Sequence, residues 1–394
     1  MLPRERTAPD RCPGVLAVHE AADGGLARVR LPGGVLSSSQ LRVLATASVE
    51  LGDGQLELTS RANVQIRALQ PGAPVELSER LYAAGLLPSI THERVRNILA
   101  SPLSGLDQHS RYDVLPLAGE LDRLLCATPA LAGLPGRFLF ALDDGRGDLA
   151  SAKADVAVRM VDAGRGELVL AGVATGVLVA AERVAGVMVA AAEAFLVERA
   201  AQGVEAWRLG ELEDGGRMVR MRLGLGAEGA VQPDTQAVGC GGAVAGASEG
   251  PAGGGVVVTV PLGVLGVGQA EALAAAGGEV RVTPWRSVVV VGVVDEEQTV
   301  RRLTEVGLVL EGASPWSGVT ACAGRPGCGK ALADVRGDAR RVVPGWPSGG
   351  RVHWSGCERR CGKPGGEFVD VVALAGGGYA VDGVAMGVDE VRAR

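Results

Sequence analysis

The chain has 394 residues, a length that suits two or three globular domains better than one. Of these residues 47% are hydrophobic but only 3% aromatic, so the core is predicted to consist mainly of Val, Leu and Ala. A net charge of −6 without long runs of one sign argues against general binding to nucleic acid or anionic membranes. The longest apolar stretch, residues 172–196, contains charges, so no transmembrane helix is expected, and the N-terminus shows no signal-peptide pattern.

The pattern of the first 75 residues predicts a small unit of strands and one helix. Its predicted elements are a strand at 26–31, a helix from Ser38, and strands at 55–59 and 64–67. We assign residues 1–75 to a first half-domain.

Residues 76–225 are predicted to form an α/β domain. Its predicted elements are helices at 77–84 and 179–199 and strands at 138–142, 156–161, 167–170 and 218–223. Residues 226–255, rich in Gly and Ala, are typical of a linker. Residues 224–229 match G-x-G-x-x-G, but Pro233 opposes the helix that a dinucleotide site needs, so we assign no nucleotide site there.

The pattern of the first half-domain returns in residues 256–307. At an offset of 229 residues, Leu31-Pro32-x-Gly34 aligns with Val260-Pro261-x-Gly263, and Gln40 aligns with Gln269. After a deletion of five residues, Leu58-Thr59 aligns with Val282-Thr283. We therefore predict two βαβ-like half-domains that bury their apolar faces on each other, followed by an α/β domain at 308–394.

Two close cysteine pairs lie in this last domain. They are Cys322 and Cys328, with five residues between them, and Cys357 and Cys361, with three. Thiolates in such pairs converge on one inorganic centre, and the adjacent glycines let backbone N–H groups approach its sulfurs. The spacing favours an iron–sulfur cluster. It leaves open structural zinc, for which five intervening residues is wide, and a chance grouping.

The seven cysteines are an odd number, which indicates a reducing compartment and hence the cytoplasm. The three outside the pairs, Cys12, Cys126 and Cys240, are predicted to be ordinary small hydrophobic residues.

Several motifs, read together, resemble the nitrite/sulfite reductase superfamily, and most closely its precorrin-3B synthase branch. They are Arg11-Cys12-Pro13-Gly14, Leu31-Pro32-Gly33-Gly34, Thr59-Ser60-Arg61-Ala62-Asn63, Arg96-Asn97, Pro135-Gly136-Arg137-Phe138, both cysteine pairs and His353-Trp354-Ser355-Gly356-Cys357. These motifs extend over nearly the whole chain. The resemblance implies a duplicated α+β architecture, with two ferredoxin-like half-domains and two unequal α/β domains that bind an iron–sulfur cluster and a tetrapyrrole.

The same resemblance implies a chemistry. It implies a 4Fe–4S cluster on Cys322, Cys328, Cys357 and Cys361, and a mononuclear non-haem iron. The implied reaction is the oxygen-dependent hydroxylation of precorrin-3A at C20, with γ-lactone formation, in aerobic cobalamin biosynthesis. NADH is the implied ultimate electron source, and we expect it to act through a partner reductase or ferredoxin. We expect a monomer.

Precorrin-3A carries eight carboxylates, for which arginine is the better planar partner. Of 39 cationic residues only three are Lys, a bias that genome composition explains for most positions. By resemblance, the carboxylate partners are Arg61, Arg96 and Arg137. One departure favours the synthase branch: the oxyanion reductases usually have a second basic residue where this chain has Leu139.

The iron ligands are not assigned by the sequence. His353, four residues before Cys357, is expected to be a core histidine, with a role near the cluster or as an iron ligand as alternatives. Asp143, Asp144 and Asp148 are expected to form an acidic turn, with metal binding as the alternative. Two other functions remain: a sirohaem-dependent ferredoxin sulfite or nitrite reductase, and a non-catalytic iron–sulfur or zinc protein.

Overall fold

The computed structural model describes residues 10, 12–225, 254–310, 314–346 and 350–393, and it confirms the predicted duplicated α+β architecture. The first half-domain contains β1 (His19–Ala21), β2 (Gly24–Val29), β3 (Val35–Ser37), α1 (Ser38–Leu51), β4 (Gln55–Leu58), β5 (Val64–Leu69) and α2 (Ala73–Ala83). The predicted boundary at residue 75 falls inside α2. Leu77 and Leu81 of this helix are buried in the same core as α1.

The first α/β domain has one sheet and three helices. Its elements are β6 (Ile98–Ala100), α3 (Leu115–Ala127), β7 (Phe140–Asp143), β8 (Val156–Met160), β9 (Arg165–Leu170), β10 (Val173–Ala180), α4 (Val184–Ala201) and α5 (Gly215–Arg222). The strand order is β10-β9-β8-β7-β6, with β6, β7 and β8 parallel.

The strand predicted at 218–223 is wrong, because these residues lie in and just after α5. Met and Val alternate with Arg there, which mimics a strand over so short a window. The helix is stabilised from outside: Val219 is buried, and Arg222 pairs with Glu198 of α4 at 2.8 Å.

The second half repeats this plan. Its half-domain contains β11 (Val256–Thr259), β12 (Val264–Gly266), α6 (Val267–Ala276), β13 (Glu279–Val282), β14 (Ser287–Val291) and α7 (Glu296–Glu305). Its α/β domain contains β15 (Val319–Ala321), α8 (Val335–Val342), β16 (Val352–Ser355), β17 (Val369–Ala373), β18 (Tyr379–Val381) and β19 (Val384–Met386). Nearly all of the predicted linker, and Cys240 within it, lies outside the described residues.

The two half-domains exchange one short strand each. The sheets have the orders β1-β2-β5-β4-β12 and β11-β14-β13-β3, so β12 completes the first sheet and β3 completes the second. Apolar side chains of both halves share one core. Neither half-domain therefore has a complete sheet alone.

The repeat seen in the sequence extends to single hydrogen bonds. Gln40 accepts from the Ser37 N–H and donates to the Ala84 carbonyl, both at 3.0 Å. Gln269 accepts from the Gly266 N–H and donates to the Val306 carbonyl, also at 3.0 Å. In each half, one glutamine thus caps the start of one helix and the end of the next.

The α/β domains are related in the same way. Three parallel strands continue into two antiparallel ones in both sheets, in the orders β6-β7-β8-β9-β10 and β15-β16-β17-β18-β19. Among the described residues, no helix is long and apolar enough to span a membrane.

Candidate functional site

The cysteine pairs lie at the carboxyl ends of two adjacent parallel strands. Cys322 follows β15 directly, and Cys357 comes two residues after β16. The Cys322 N–H donates to the Trp354 carbonyl at 2.9 Å, which continues the ladder between the two strands. The ends of parallel strands meet at one edge of a sheet, so this topology brings the two motifs together.

Glycines give the chain around Cys322 its close packing. The Gly356 N–H points at the Cys322 Sγ, 3.1 Å away. A Cβ on Gly356 would lie only 2.7 Å from the Ala331 Cβ, so the loops could not approach this closely with a larger residue. Burial raises the pKa of the Cys322 thiol; the Gly356 N–H opposes this rise, and the Cys361 thiol adds to it.

The donor set and the N–H directed at sulfur fit an iron–sulfur cluster held by this edge. The thiols of Cys322, Cys328 and Cys357 are half-buried, and that of Cys361 is exposed. Within the described ranges, however, no three Cys, His, Asp or Glu side chains are already close enough to hold a metal ion. The four-cysteine ligand set stays a prediction.

The cysteine loop is docked on the first half-domain through buried ion pairs. Arg67 of β5 donates to the Gly327 carbonyl at 2.6 Å and to both carboxylate oxygens of Asp23 at 3.0 Å. Arg336 of α8 pairs with Glu57 of β4 and donates to the Cys322 carbonyl at 3.2 Å. Burial alone would raise the pKa of Glu57, but Arg336 and then Arg67 lower it.

A second feature is a cluster of arginines, Arg28, Arg30, Arg61 and Arg137, which we call the arginine site. Arg28 and Arg30 come from β2 and its end, Arg61 from the β4–β5 loop, and Arg137 from the segment before β7. Arg61 donates to the carbonyls of Gly136 at 3.2 Å and of Arg137 at 3.0 Å, which joins two of these segments. Within the described chain, none of the four forms an ion pair with a carboxylate.

Arg30 is the most unusual member of the arginine site. Its side chain is 2% exposed, and its Nε and Nη1 have no hydrogen-bond partner among the residues that the structure describes. Only Nη2 is used, at 3.2 Å from the Pro13 carbonyl. Burial lowers the pKa of Arg30 well below its ordinary value, and Arg28 adds to this. A buried cation in this state calls for an anionic ligand.

The other three arginines have partners, but none of these partners neutralises the positive charge of the guanidinium. Arg28 donates from Nε to the Gln65 Oε1 at 2.9 Å, a neutral partner. The guanidinium of Arg137 lies over the Trp207 ring, 4.9 Å from its centroid. Burial lowers the pKa of Arg61 to about 10, and the charge of Arg208 acts in the same direction. The arginine site is therefore strongly electropositive.

Residues 19–84 match the nitrite/sulfite reductase ferredoxin-like half domain. A precorrin-3B synthase from Sinorhizobium sp. is 27% identical over 96% of this chain and 83% of its own length. The solved Mycobacterium tuberculosis NirA protein has a TM-score of 0.72 at 20% identity, over 94% of this chain and 79% of that one. The chain therefore contains a nitrite/sulfite reductase ferredoxin-like half domain and is similar over nearly its whole length to a precorrin-3B synthase.

The superfamily contains both of the functions considered above. A ferredoxin–nitrite reductase from Synechococcus elongatus is 36% identical, but over only 31% of this chain and 25% of that protein. The recognition made from the sequence is confirmed, since the synthase similarity extends over nearly the whole chain.

Of the three predicted carboxylate partners, the structure brings two together. Arg61 and Arg137 are in the arginine site, whereas Arg96 is held elsewhere. Arg96 is buried, pairs with both oxygens of Asp122 at 2.7 Å and donates to the Leu86 carbonyl at 3.0 Å. Each of its three guanidinium nitrogens thus has a partner within the protein.

The sequence reasoning missed Arg28, Arg30 and the placement of Cys12. Cys12, predicted to be an ordinary small hydrophobic residue, is half-buried and packs against Gly136. A Cβ added to Gly136 would lie 2.8 Å from the Cβ of Cys12. Burial raises the pKa of Cys12, followed by the charge of Asp10. The pair Arg28-x-Arg30, one residue before the Pro32-Gly33-Gly34 turn, was the signal that could have identified the two arginines.

His353 lies inside the last domain, as a core histidine does. It is fully buried on β16, and its Nδ1 is 2.8 Å from the Thr320 Oγ1. Burial lowers its pKa to about 4, with Arg286 acting in the same direction, so the ring is neutral at physiological pH. A role near the cluster is not tested by this geometry.

The residues Asp143, Asp144 and Asp148 form an acidic turn, as expected. Asp143 accepts the N–H groups of Gly145 and Gly147 at 2.9 Å, and Arg146 pairs with Asp144 at 2.8 Å. This turn follows β7 as Cys357 and Cys361 follow β16 in the second half. The Ser101 N–H donates to the Leu142 carbonyl at 3.0 Å, and the Asp144 N–H donates to the Ser101 Oγ at 3.1 Å.

Ser101 and Cys322 are therefore structural equivalents, because the same two bonds surround Cys322. The duplication has a thiol in one half and a hydroxyl in the other. This difference explains why a cluster is expected in the last domain only.

Proposed function

We propose that this protein is a precorrin-3B synthase, an oxygen-dependent oxidoreductase that hydroxylates precorrin-3A at C20 with γ-lactone formation in cobalamin biosynthesis. One oxygen atom of O2 enters the substrate and the other leaves as water, with two electrons from NADH. The arginine site carries the proposal, together with the full-length similarity to a precorrin-3B synthase.

The arginine site suits a ligand with many carboxylates. A carboxylate at Arg30 would meet two free N–H donors in a desolvated place, where charge-assisted hydrogen bonds are strongest. Arg28, Arg61 and Arg137 would bind further carboxylates around the same macrocycle. Binding would hold the large substrate in one orientation and exclude water from the face that reacts.

Leu139 supports substrate oxidation over oxyanion reduction. Reductases of small oxyanions are expected to place a basic residue at this position, but Leu139 is 3% exposed and packs in the shared core. Arg137 alone would have to hold the oxyanion. A sirohaem-dependent sulfite or nitrite reductase remains the second candidate, because the same arginines would fit the carboxylates of sirohaem.

The cluster would be held by Cys322, Cys328, Cys357 and Cys361. When bound, a 4Fe–4S cluster would supply single electrons for the reduction of the second oxygen atom of O2 to water. The Gly356 N–H would hold the Cys322 sulfur and tune the potential by hydrogen bonding.

The described residues do not fit a mononuclear iron site of the usual two-histidine, one-carboxylate type. His92 is engaged with Ser89 and the Thr128 carbonyl, His353 lies in the core, and His19 and His109 are exposed. We derive no step through such an iron. We infer that NADH acts through a partner reductase or ferredoxin, and we place the protein in the cytoplasm as a monomer.

An absorption spectrum of protein purified without oxygen tests the proposal. We expect the broad absorption of an iron–sulfur cluster and no tetrapyrrole bands before substrate is added. Sharp tetrapyrrole bands in the purified protein, with sulfite or nitrite reduction, would establish the reductase instead. Stoichiometric zinc without labile sulfide would rule out both enzymes.

A further inference from the structure

The pseudo-symmetry of the molecule relates the arginine site to a second place in the fold. Arg28 and Arg30 correspond to Val257 and Thr259 at the offset of 229 residues. The strand registers agree, since Arg28 pairs with Gln65 and Val257 pairs with Val289. In the loops that follow β4 and β13, Thr59 and Thr283 each accept two backbone N–H groups through their Oγ1.

A cavity lies at this second place. It measures about 780 Å³ with its open mouth and lies between the second half-domain and the β15 side of the last domain, with Ser60 of the β4–β5 loop also in its wall. Its walls include Val257, Thr259, Trp285, Trp316 and Phe368. Mostly apolar walls with a few polar groups are typical of small-molecule sites.

The chemistry of the walls differs from that of the arginine site. The positions of Arg28, Arg30 and Arg61 are occupied by Val257, Thr259 and Trp285, so most of the charge is gone and aromatic surface replaces it. One stacked cation is kept in both places. Arg351 lies 4.3 Å over the Phe368 ring, as Arg137 lies over Trp207.

One further cation, Arg286, lines the cavity without an acidic partner. Its Nη2 donates to the Gly362 carbonyl at 3.1 Å, while Nη1 is buried and finds no acceptor in the described part of the chain. The Ser317 Oγ is likewise buried and unpartnered among these residues. No Asp or Glu is among the described residues that line the cavity.

We propose that this cavity is a second ligand site, which binds a flat aromatic molecule with a single carboxylate. The aromatic rings of the ligand would lie between the side chains of Trp285, Trp316 and Phe368. The carboxylate would accept from the free Nη1 of Arg286 and from the Ser317 hydroxyl. Val257 and Thr259 replace two of the cations of the arginine site, so the cavity has too few cations for a macrocycle with eight carboxylates.

Isothermal titration with naphthalene-2-carboxylate tests the site, with naphthalene-2-methanol as the uncharged counterpart. We expect the acid to bind with 1:1 stoichiometry and the alcohol to bind at least tenfold more weakly, since a buried charge-assisted bond is lost. Arg286→Met should weaken the acid at least tenfold, and Ser317→Ala should weaken it less. Thr259→Phe should abolish binding, because it fills the cavity.

Arg28→Met is the matched control, since it removes a cation of the arginine site at the position that corresponds to Val257. It should leave binding of the acid unchanged. The proposal is overturned if the wild type binds neither compound, or if Arg28→Met weakens the acid while Thr259→Phe does not. Circular dichroism and thermal melting of each variant establish whether it is folded. If Arg286→Met does not fold, the binding of the acid to Thr259→Phe and Ser317→Ala tests the proposal. The titration uses no turnover, so its outcome is independent of the proposed activity.

Discussion

Replacing Arg30 with Met should make the ligand-free protein more stable and the complex weaker. Met has a similar volume and leaves no charge in the core. In the ligand-free protein, Arg30 has two unpaired nitrogens and a single bond of 3.2 Å to the Pro13 carbonyl. Replacing poorly compensated buried charge with a hydrophobic side chain commonly stabilises by about 1–4 kcal/mol, and we expect Arg30→Met to fall in this range.

The same substitution should weaken ligand binding, although it stabilises the ligand-free protein. A hydrogen bond to a charged group contributes about 1.5–3 kcal/mol, so affinity for a polycarboxylate tetrapyrrole should fall by a factor of about 10–150. Uroporphyrin, a stable tetrapyrrole with eight carboxylates, serves as the probe in a fluorescence titration, and thermal melting without ligand reports stability. Arg123→Met, in an exposed ion pair with Glu120, is the control and should change neither quantity. A lower melting midpoint with unchanged uroporphyrin affinity for Arg30→Met would refute the reasoning.

Three further outcomes are expected. Gly356→Ala should reduce cluster content and absorption in anaerobically purified protein, because its Cβ would meet that of Ala331 at 2.7 Å; full cluster loading would contradict the described packing. Gln40→Ala and Gln269→Ala should destabilise by similar amounts, about 1–2 kcal/mol each in urea unfolding, since each removes one helix cap and one carbonyl partner. Burial, followed by the charge of Asp143, raises the pKa of Asp148 to about 7. Between about pH 4 and 7 the folded protein therefore binds one more proton at this carboxyl than the unfolded chain does. The free energy of unfolding should fall as the pH rises through this range. Asp148→Asn should remove that loss, and a wild-type-minus-variant difference in unfolding free energy that does not change from pH 4 to 8 would show that the carboxyl is not perturbed.

Much of the fold was predictable because the same short sequence motifs occur in both halves of the duplication. The Pro-x-Gly turn and the capping glutamine recur at one offset, and each marks a helix start whose geometry is local. The strand exchange was not predictable, since no local pattern distinguishes pairing of β3 with its own half from pairing with β13. The same limit explains α5, whose helix depends on packing against α4.

The site was predictable where it depends on sequence spacing. The cysteine pairs could be located from the chain alone, and Arg61 and Arg137 from their motifs. The partner of Arg96 could not, because Asp122 lies on a helix 26 residues away in the chain. The burial of Arg30 also depends on tertiary packing: the alternation of β2 predicts where a side chain points, and not whether a domain covers it.

The central claim is tested most directly by incubating the protein with precorrin-3A, ¹⁸O2 and a reductant, followed by mass spectrometry of the product. The account predicts one ¹⁸O atom in each product molecule, and loss of turnover when Cys357 is replaced by Ala. A product without ¹⁸O, or unchanged precorrin-3A beside rapid reduction of sulfite or nitrite, would contradict it.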